Sequence, residues 1–254
     1  MIFSRFELNG RKALVTGSSR GIGRSLALAL AEAGADVVLH GIRRSPAAEE
    51  TLSAVESRGR KAFWVEGDLA AEGGRPVAER TLAATGGVDI LVLNASIQNR
   101  REWLEIPPVE AEAQWRANFQ ASLELAQALV PFMQRQKWGR VLTIGSVQQA
   151  RPHPQMLVYA ATKAAQMSLV LSLAKQLAPD GITVNNLAPG VILTDRNTDA
   201  LADPDYAERV RQSIPAGYFG ESADCAGAAL LLCSEAGRYV TGQNLYVDGG
   251  IGLP

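Results

Sequence analysis

Cysteine is nearly absent from this chain. Its 254 residues include two, Cys225 and Cys233, without the spacing of metal ligands. They exclude a disulfide framework and read as small apolar core residues; no metal site is expected. An excess of charge is also missing. Lys and Arg number 25 against 26 Asp and Glu, a formal net charge of -1. The basic footprint of a nucleic-acid partner and the polybasic patch of a membrane-surface protein are thereby excluded. The opening "MIFSRFELNG" lacks the apolar core of a signal peptide, and no stretch is expected to reach the length of a transmembrane helix. No linker, internal repeat or low-complexity segment interrupts the chain. The expectation is a cytoplasmic protein, one domain over 1–254, partnered by a small molecule and not by nucleic acid or membrane.

What is present is a rhythm. Short β-branched runs (12–16, 36–40, 61–65, 88–93, 139–145, 182–187 and 243–248) alternate with alanine- and leucine-rich helical runs. The strand runs are almost continuously apolar, as required when helices cover both faces of a sheet. The fold class expected is α/β: a single doubly wound Rossmann-type domain with a seven-stranded parallel sheet flanked by helices on both faces. One long helix is expected over 109–136, with a bend at Pro131. The segment 190–217, rich in Asp, Pro and Asn, breaks the rhythm after a strand's carboxyl end, where such a sheet carries a substrate lid.

Two local patterns carry chemistry. The first strand runs into "TGSSRGIGRSLALAL". Glycines 17, 21 and 23 lie between strand and helix, where they permit a tight turn and bring backbone N–H groups to a pyrophosphate at a helix N-terminus. Their spacing, G-x-x-x-G-x-G, differs from the general G-x-G-x-x-G fingerprint. Further on, "YAATK" places Tyr159 and Lys163 four residues apart in a helical run, so both project from one face. An ammonium beside a phenol favours the phenolate, so the pair points to a lowered pKa for Tyr159 and proton-transfer chemistry, with an ordinary surface pair as the alternative while the pattern is taken alone.

Together these motifs resemble the short-chain dehydrogenase/reductase family. The resemblance is also carried by Ser146, thirteen residues before Tyr159, by Asn94-Ala95, by Asn118, by "PGVILT" (189–194) and by "YVTGQNLYVDGG", and it spans the chain in order. It implies hydride transfer between a nicotinamide and a carbinol or carbonyl carbon. Tyr159 would be the acid/base, Lys163 would assist it and hold the nicotinamide ribose, Ser146 would steady the substrate oxygen, and Asn118 would hold a water of a proton relay. Cofactor contacts are implied for Gly17, Ser19, Arg20, Gly21, Ile22, Gly23, Asp68, Leu69, Asn94, Ala95, Pro189, Gly190, Ile192 and Thr194. Leu93 and Ser96 depart from the family's Asn-Asn-Ala-Gly.

The second strand run is followed by Gly41, where an Asp or Glu would bind the ribose hydroxyl of NAD. Arg43 and Arg44 follow it, and Arg20 lies in the glycine loop, so NADP is expected over NAD as cofactor, NAD remaining the alternative. The segments "ASIQNRREWLEI" and "VQQARPHPQMLV" are similar to those of gluconate 5-dehydrogenases. Gln98, Gln148 and Gln149 suit hydroxyls, and Arg100, Arg101 or Arg151 suit a carboxylate, with His153 as a further substrate contact. A polyhydroxylated, anionic sugar acid is the expected substrate. The alternatives are a 3-oxoacyl-[acyl carrier protein] reductase and, in another class, a non-catalytic dinucleotide-binding regulator. Apolar residues on more than one side of the helices at 109–136 and 157–178, together with the family's habit, imply a homotetramer.

Overall fold

Apolar runs of this length have nowhere to go but between two layers of helix. The computed structural model of the protein, which describes residues 1–198 and 201–253, shows that layering. In chain order the elements are β1 (Lys12–Val15), α1 (Gly21–Glu32), β2 (Asp36–Gly41), α2 (Pro46–Glu56), β3 (Ala62–Glu66), α3 (Arg75–Thr85), β4 (Ile90–Leu93), α4 (Pro108–Trp115), α5 (Ala121–Gln136), β5 (Gly139–Ile144), α6 (Leu157–Leu177) and β6 (Ile182–Pro189). Then come β7 (Ile192–Leu193), α7 (Asp195–Thr198), α8 (Pro204–Gln212), β8 (Gly220–Glu221), α9 (Asp224–Cys233) and β9 (Asn244–Val247).

Seven strands form one sheet in the order β3-β2-β1-β4-β5-β6-β9. All neighbours run parallel, with Val15 paired to Leu39 on one side and to Val92 on the other. The strands β4, β5 and β6 are buried along their whole length. One core, including Leu26, Leu30, Val37, Ile90 and Leu232, fills the side of α1, α2 and α9; a second, including Leu14, Leu91, Leu125, Leu129 and Val170, fills the side of α3, α5 and α6. Burying each such leucine stabilises the fold by about 1.5–3 kcal/mol. Because β2 and β5 are wound on opposite sides of the β1/β4 pair, the crevice at their carboxyl ends is the topological switch point where an open α/β sheet binds ligand.

The structure departs from the sequence reading in four places. The helix expected over 109–136 is interrupted, but not at Pro131, which lies inside α5. The interruption is a π-turn over Arg116–Gln120. The helix α9 was not foreseen, nor was the small parallel pair of β7 and β8, which closes the base of the 190–217 segment by pairing Ile192 with Gly220. Residues 199–200 of that segment lie outside the described residues. Finally, the helical run 154–180 is long and apolar enough to cross a membrane by length and composition, contrary to expectation. Within the fold this helix lies along the sheet and buries Tyr159, Lys163 and Gln166 on one face, while 39% of its apolar window is buried.

Candidate active site

The glycine turn leaves β1 at Thr16 and enters α1 at Gly21. Gly17 and Gly21 have φ of +62° and +56°, the left-handed region that glycine occupies without penalty. A Cβ on Gly23 would sit 2.3 Å from the Gly17 carbonyl oxygen and 2.5 Å from the Asn94 amide. That amide is the clasp of the turn: Asn94 Nδ2 donates to the carbonyls of Thr16 (2.8 Å) and Gly17 (3.0 Å). Thr16 Oγ1 in turn accepts from the backbone N–H of Asn94 and Ala95. Behind the turn, His40 Nδ1 accepts from the Gly17 N–H at 3.1 Å. Burial lowers the His40 pKa to about 4, so the imidazole is a neutral acceptor at ordinary pH. No side chain caps the start of α1, leaving its first N–H groups for a ligand. Ser19 and Ile22 flank the turn; Ser19 offers its carbonyl to Thr51 Oγ1.

The four residues expected to be catalytic converge from three elements. The π-turn carries Asn118 to the interior, fully buried. Its Oδ1 accepts from Ile97 N (2.7 Å), and its Nδ2 donates to Ile97 O (2.9 Å) and Thr162 Oγ1 (3.0 Å). The side chain thus pins the loop after β4 to α6 beside Lys163. Ser146 lies two residues beyond β5, at the cap of a short 3-10 turn, and its Oγ accepts from Gln148 N at 3.2 Å, which leaves its O–H free to donate. Tyr159 and Lys163 share the buried face of α6, with Lys163 Nζ 5.7 Å from the centre of the phenol ring. The ammonium donates to Ile144 O (2.7 Å) and Gln166 Oε1 (2.9 Å).

Burial governs the charges here. Desolvation brings Lys163 down to about 7, helped by the nearby Arg196 guanidinium. Desolvation also raises the Tyr159 phenol above its ordinary value, against the opposing pull of Arg196 and Ser146. The expectation of a lowered tyrosine is therefore reversed in the protein alone, because taking the phenolate out of water outweighs the attraction of its neighbours.

Towards the distal end, a Cβ on Gly41 would lie 2.8 Å from Trp64 Cη2, so a side chain at position 41 would have to displace the Trp64 ring. Arg44 is held by Glu49 and Glu66, whereas Arg43 is exposed and has no ion-pair partner among the described residues. Arg20 reaches across to Asp195 on α7 (3.2 Å). Asp68 accepts from Ala70 N (2.9 Å) beside the buried Leu69. On the opposite wall, Pro189 ends β6, Gly190 N donates to Val247 O (2.9 Å), Ile192 is buried, and Thr194 faces Gly21.

The expected substrate residues divide. Arg101 is committed to Glu110 (2.8 Å) and Arg151 to the carbonyls of Ile251 and Leu253 (2.6 and 2.8 Å). Gln98 and Arg100 are half-buried on the loop after β4, and Arg100 lies 5.9 Å over the ring of Tyr206 on α8. Gln148 Oε1 accepts from His153 N (2.5 Å). Gln148, Gln149 and His153 line a cavity of about 420 Å³ against Leu157, Ala160 and Ala164, which includes none of the four buried catalytic candidates. Among the described residues no group of three metal-ligating side chains occurs.

Residues 17–252 match the family model described as enoyl-(acyl carrier protein) reductase. The chain is 35% identical over 242 residues to 3-oxoacyl-[acyl-carrier-protein] reductase of Staphylococcus aureus, covering 95% of this chain and 98% of that protein. It is 36% identical over 250 residues to gluconate 5-dehydrogenase of Gluconobacter oxydans, covering 97% and 96%. The solved structure of 3-oxoacyl (acyl-carrier-protein) reductase from Agrobacterium tumefaciens with NADP bound superposes with a TM-score of 0.93 at 40% identity, over 98% of this chain and 97% of that one. The chain belongs to the short-chain dehydrogenase/reductase family.

As a short-chain dehydrogenase/reductase the protein is an oxidoreductase acting on CH–OH groups. Its glycine turn fits a dinucleotide, since two residues with positive φ, an uncapped helix start and a Gly23 that admits no Cβ leave backbone N–H groups open at the β1/β4 crevice. The sequence reading missed Thr16, His40 and Arg196. Thr16 stood in the quoted motif as the residue before Gly17, and a polar histidine ending an apolar strand was a signal for His40. Arg196 had no signal, because its partners are distant in sequence.

Two outcomes are expected. Gly23→Ala forces a methyl against the Gly17 carbonyl, an overpacking worth about 1–3 kcal/mol; NADPH titration by fluorescence should show about tenfold or greater loss of affinity, and an unchanged affinity contradicts the turn's role. Lys163 holds its proton to about 10.5 when unfolded but only to about 7 in the fold. Between those values the unfolded chain binds more protons, so Lys163 makes stability rise with pH. The Tm of Lys163→Met relative to the native protein should fall as pH climbs from about 7 to about 10; a pH-independent difference would argue against a neutral buried amine.

Proposed function

We propose that this protein is an NADP-dependent oxidoreductase that interconverts a secondary alcohol and a ketone on a polyhydroxylated, anionic sugar or sugar acid. The observation that carries the reaction is the burial of Tyr159, Lys163 and Ser146 together at the carboxyl edge of β5, beside the glycine turn. A bound nicotinamide supplies or accepts the hydride. In reduction the Tyr159 O–H gives its proton to the carbonyl oxygen, and in oxidation the phenolate takes it back. The free O–H of Ser146 holds the same oxygen and stabilises the charge that develops there. Lys163, held by Ile144 O and Gln166, orients the site from beneath, and Asn118 keeps the loop after β4 and α6 in register for it.

Preference for NADP is supported by the absence of a carboxylate at Gly41 and by Arg43, which has no ion-pair partner among the described residues; Arg20 becomes a second guanidinium for the 2′-phosphate once it exchanges Asp195 for it. Asp68 and Leu69 would border the adenine, and the walls from Asn94 to Ala95 and from Pro189 to Thr194 would hold the rest of the dinucleotide. The sugar-acid reading is supported by Arg100, which has no ion pair among the described residues, and by Gln98 on the same loop; Gln148 and His153 form the outer rim. The segment 190–217 acts as the lid. A homotetramer in the cytoplasm is the proposed form, supported by the exposed Trp115, Leu157 and Leu171 on α4 and α6.

The second reading, reduction of a 3-oxoacyl thioester on acyl carrier protein, is favoured by the Staphylococcus and Agrobacterium relatives. Turnover with 5-keto-gluconate set against an acetoacetyl thioester separates the two, and a clear preference for the thioester refutes the first. Tyr159→Phe should lower kcat by about 10²–10⁴-fold with dinucleotide binding intact. Arg100→Ala should raise KM for anionic substrates by about tenfold or more, the loss of one charge-assisted hydrogen bond, while Arg101→Ala leaves it unchanged. A kcat/KM that favours NADH over NADPH overturns the cofactor assignment.

A further inference from the structure

The proposed hydride transfer makes no use of one buried polar ring. β2 carries Val37, Val38 and Leu39 into the core and then His40, which is 2% exposed. An imidazole is a costly filler at such a position, because a buried ring nitrogen needs a partner. Nε2 makes no hydrogen bond of normal geometry among the described residues, a weak contact with the Gly67 backbone aside. Nδ1 makes one, accepting from the Gly17 N–H at 3.1 Å. Only a ring nitrogen without a proton can receive a backbone N–H, so the bond fixes the neutral ring with its proton on Nε2. The bond has a counterpart across the turn: Gly17 O accepts from Asn94 Nδ2 at 3.0 Å. Gly17, at φ +62°, is thus held by its N–H from β2 and by its carbonyl from the loop after β4. The backbone of His40 is fastened separately, with Ser18 N donating to His40 O and His40 N to Ser18 Oγ, both at 3.0 Å. Those ties do not need the imidazole. What the ring adds to them is an acceptor for Gly17.

We propose that His40 is a positioning residue for dinucleotide binding: by accepting the Gly17 N–H at Nδ1, it holds the glycine turn in the shape that presents the first N–H groups of α1 to a pyrophosphate. The proposal rests on the reading of that turn as the dinucleotide site. His40 acts through Gly17 and not on the ligand. Without the acceptor, the Gly17 N–H must stay unpaired or swing towards water, and the backbone freedom of glycine lets the turn follow it. The pyrophosphate is common to NADP and NAD. The loss of the acceptor therefore weakens both by the same factor, unlike a change at residues 41–44, which would act on the 2′-phosphate alone.

Two substitutions separate the acceptor from the ring. Asn sets its Oδ1 where the imidazole has Nδ1 and can receive the same N–H, whereas Leu fills the site with no acceptor. In fluorescence titration with NADPH, His40→Leu should weaken binding about tenfold or more, and His40→Asn should stay within about threefold of the native protein. NADH should show the same ratios. Equal losses in the two variants would make the ring a core filler and overturn the proposal, as would a loss confined to NADPH. Gly23→Ala is the control for the turn itself. Affinity lost in Gly23→Ala but kept in His40→Leu overturns the role of His40 and leaves the turn as the dinucleotide site; affinity kept in both overturns the two together. A measurement on the native protein needs no variant to fold. The chain has two histidines, His40 and His153. Long-range proton–nitrogen correlation spectra at about pH 7 should show His40 with its proton on Nε2 and a bare Nδ1, the signals being those absent from His40→Asn. A proton on Nδ1 at that pH removes the acceptor and overturns the proposal.

Discussion

The Asn94 side-chain amide is the interaction on which the rest of the site depends. It bridges β4 to the end of β1 by donating to the Thr16 and Gly17 carbonyls, at the point where the winding of the sheet reverses. Several consequences follow from that one tie. It holds open the Gly17 turn, whose N–H is received by His40. It aims the start of α1 at the crevice. It begins the loop that passes Ser96 to Ile97, where Asn118 takes over and fastens the loop to α6 through Thr162. The glycine turn and the Tyr159 helix are far apart in sequence, and this chain of hydrogen bonds makes them two walls of one cleft.

The second constraint is desolvation. A phenol and an ammonium packed between helix and sheet both lose the water that would stabilise their charged forms, so the neutral form of each gains. Lys163 answers with backbone and amide acceptors, Ile144 O and Gln166 Oε1, not with a counter-ion. The site is thus cationic at its rim and weakly charged at its floor. Such an arrangement suits the transient negative charge of an alkoxide better than a carboxylate-rich site would. The arginines of the two loops sort by partner. Arg101 and Arg151 serve the fold, and Arg100 alone of the three remains unpaired among the described residues.

Much of this was legible in the residues. The apolar runs and their spacing predicted seven parallel strands and the layers around them, because a strand buried on both faces has no other composition. The glycines and the Tyr159–Lys163 pair stood out because their chemistry is local: a turn needs glycine within a few residues, and a helix face repeats after four. The π-turn at Arg116–Gln120 was not legible, since nothing in "RANFQ" differs from ordinary helix; it exists because Asn118 finds partners on other elements. The helix α9 was missed in the stretch after the lid. The Tyr159 shift came out opposite in sign to the sequence expectation, because burial depth is a property of the packed molecule.

The sequence by itself determined the layered α/β architecture, the glycine turn and the helix face that carries the phenol and the ammonium, all consequences of periodicity and backbone freedom over short spans. Only the tertiary structure decided which arginines are free, that Arg196 meets Ser96 a hundred residues away, and how far Tyr159 and Lys163 are removed from water. Those outcomes depend on contacts between distant segments and on the dielectric they enclose, and neither is written in any local stretch of chain.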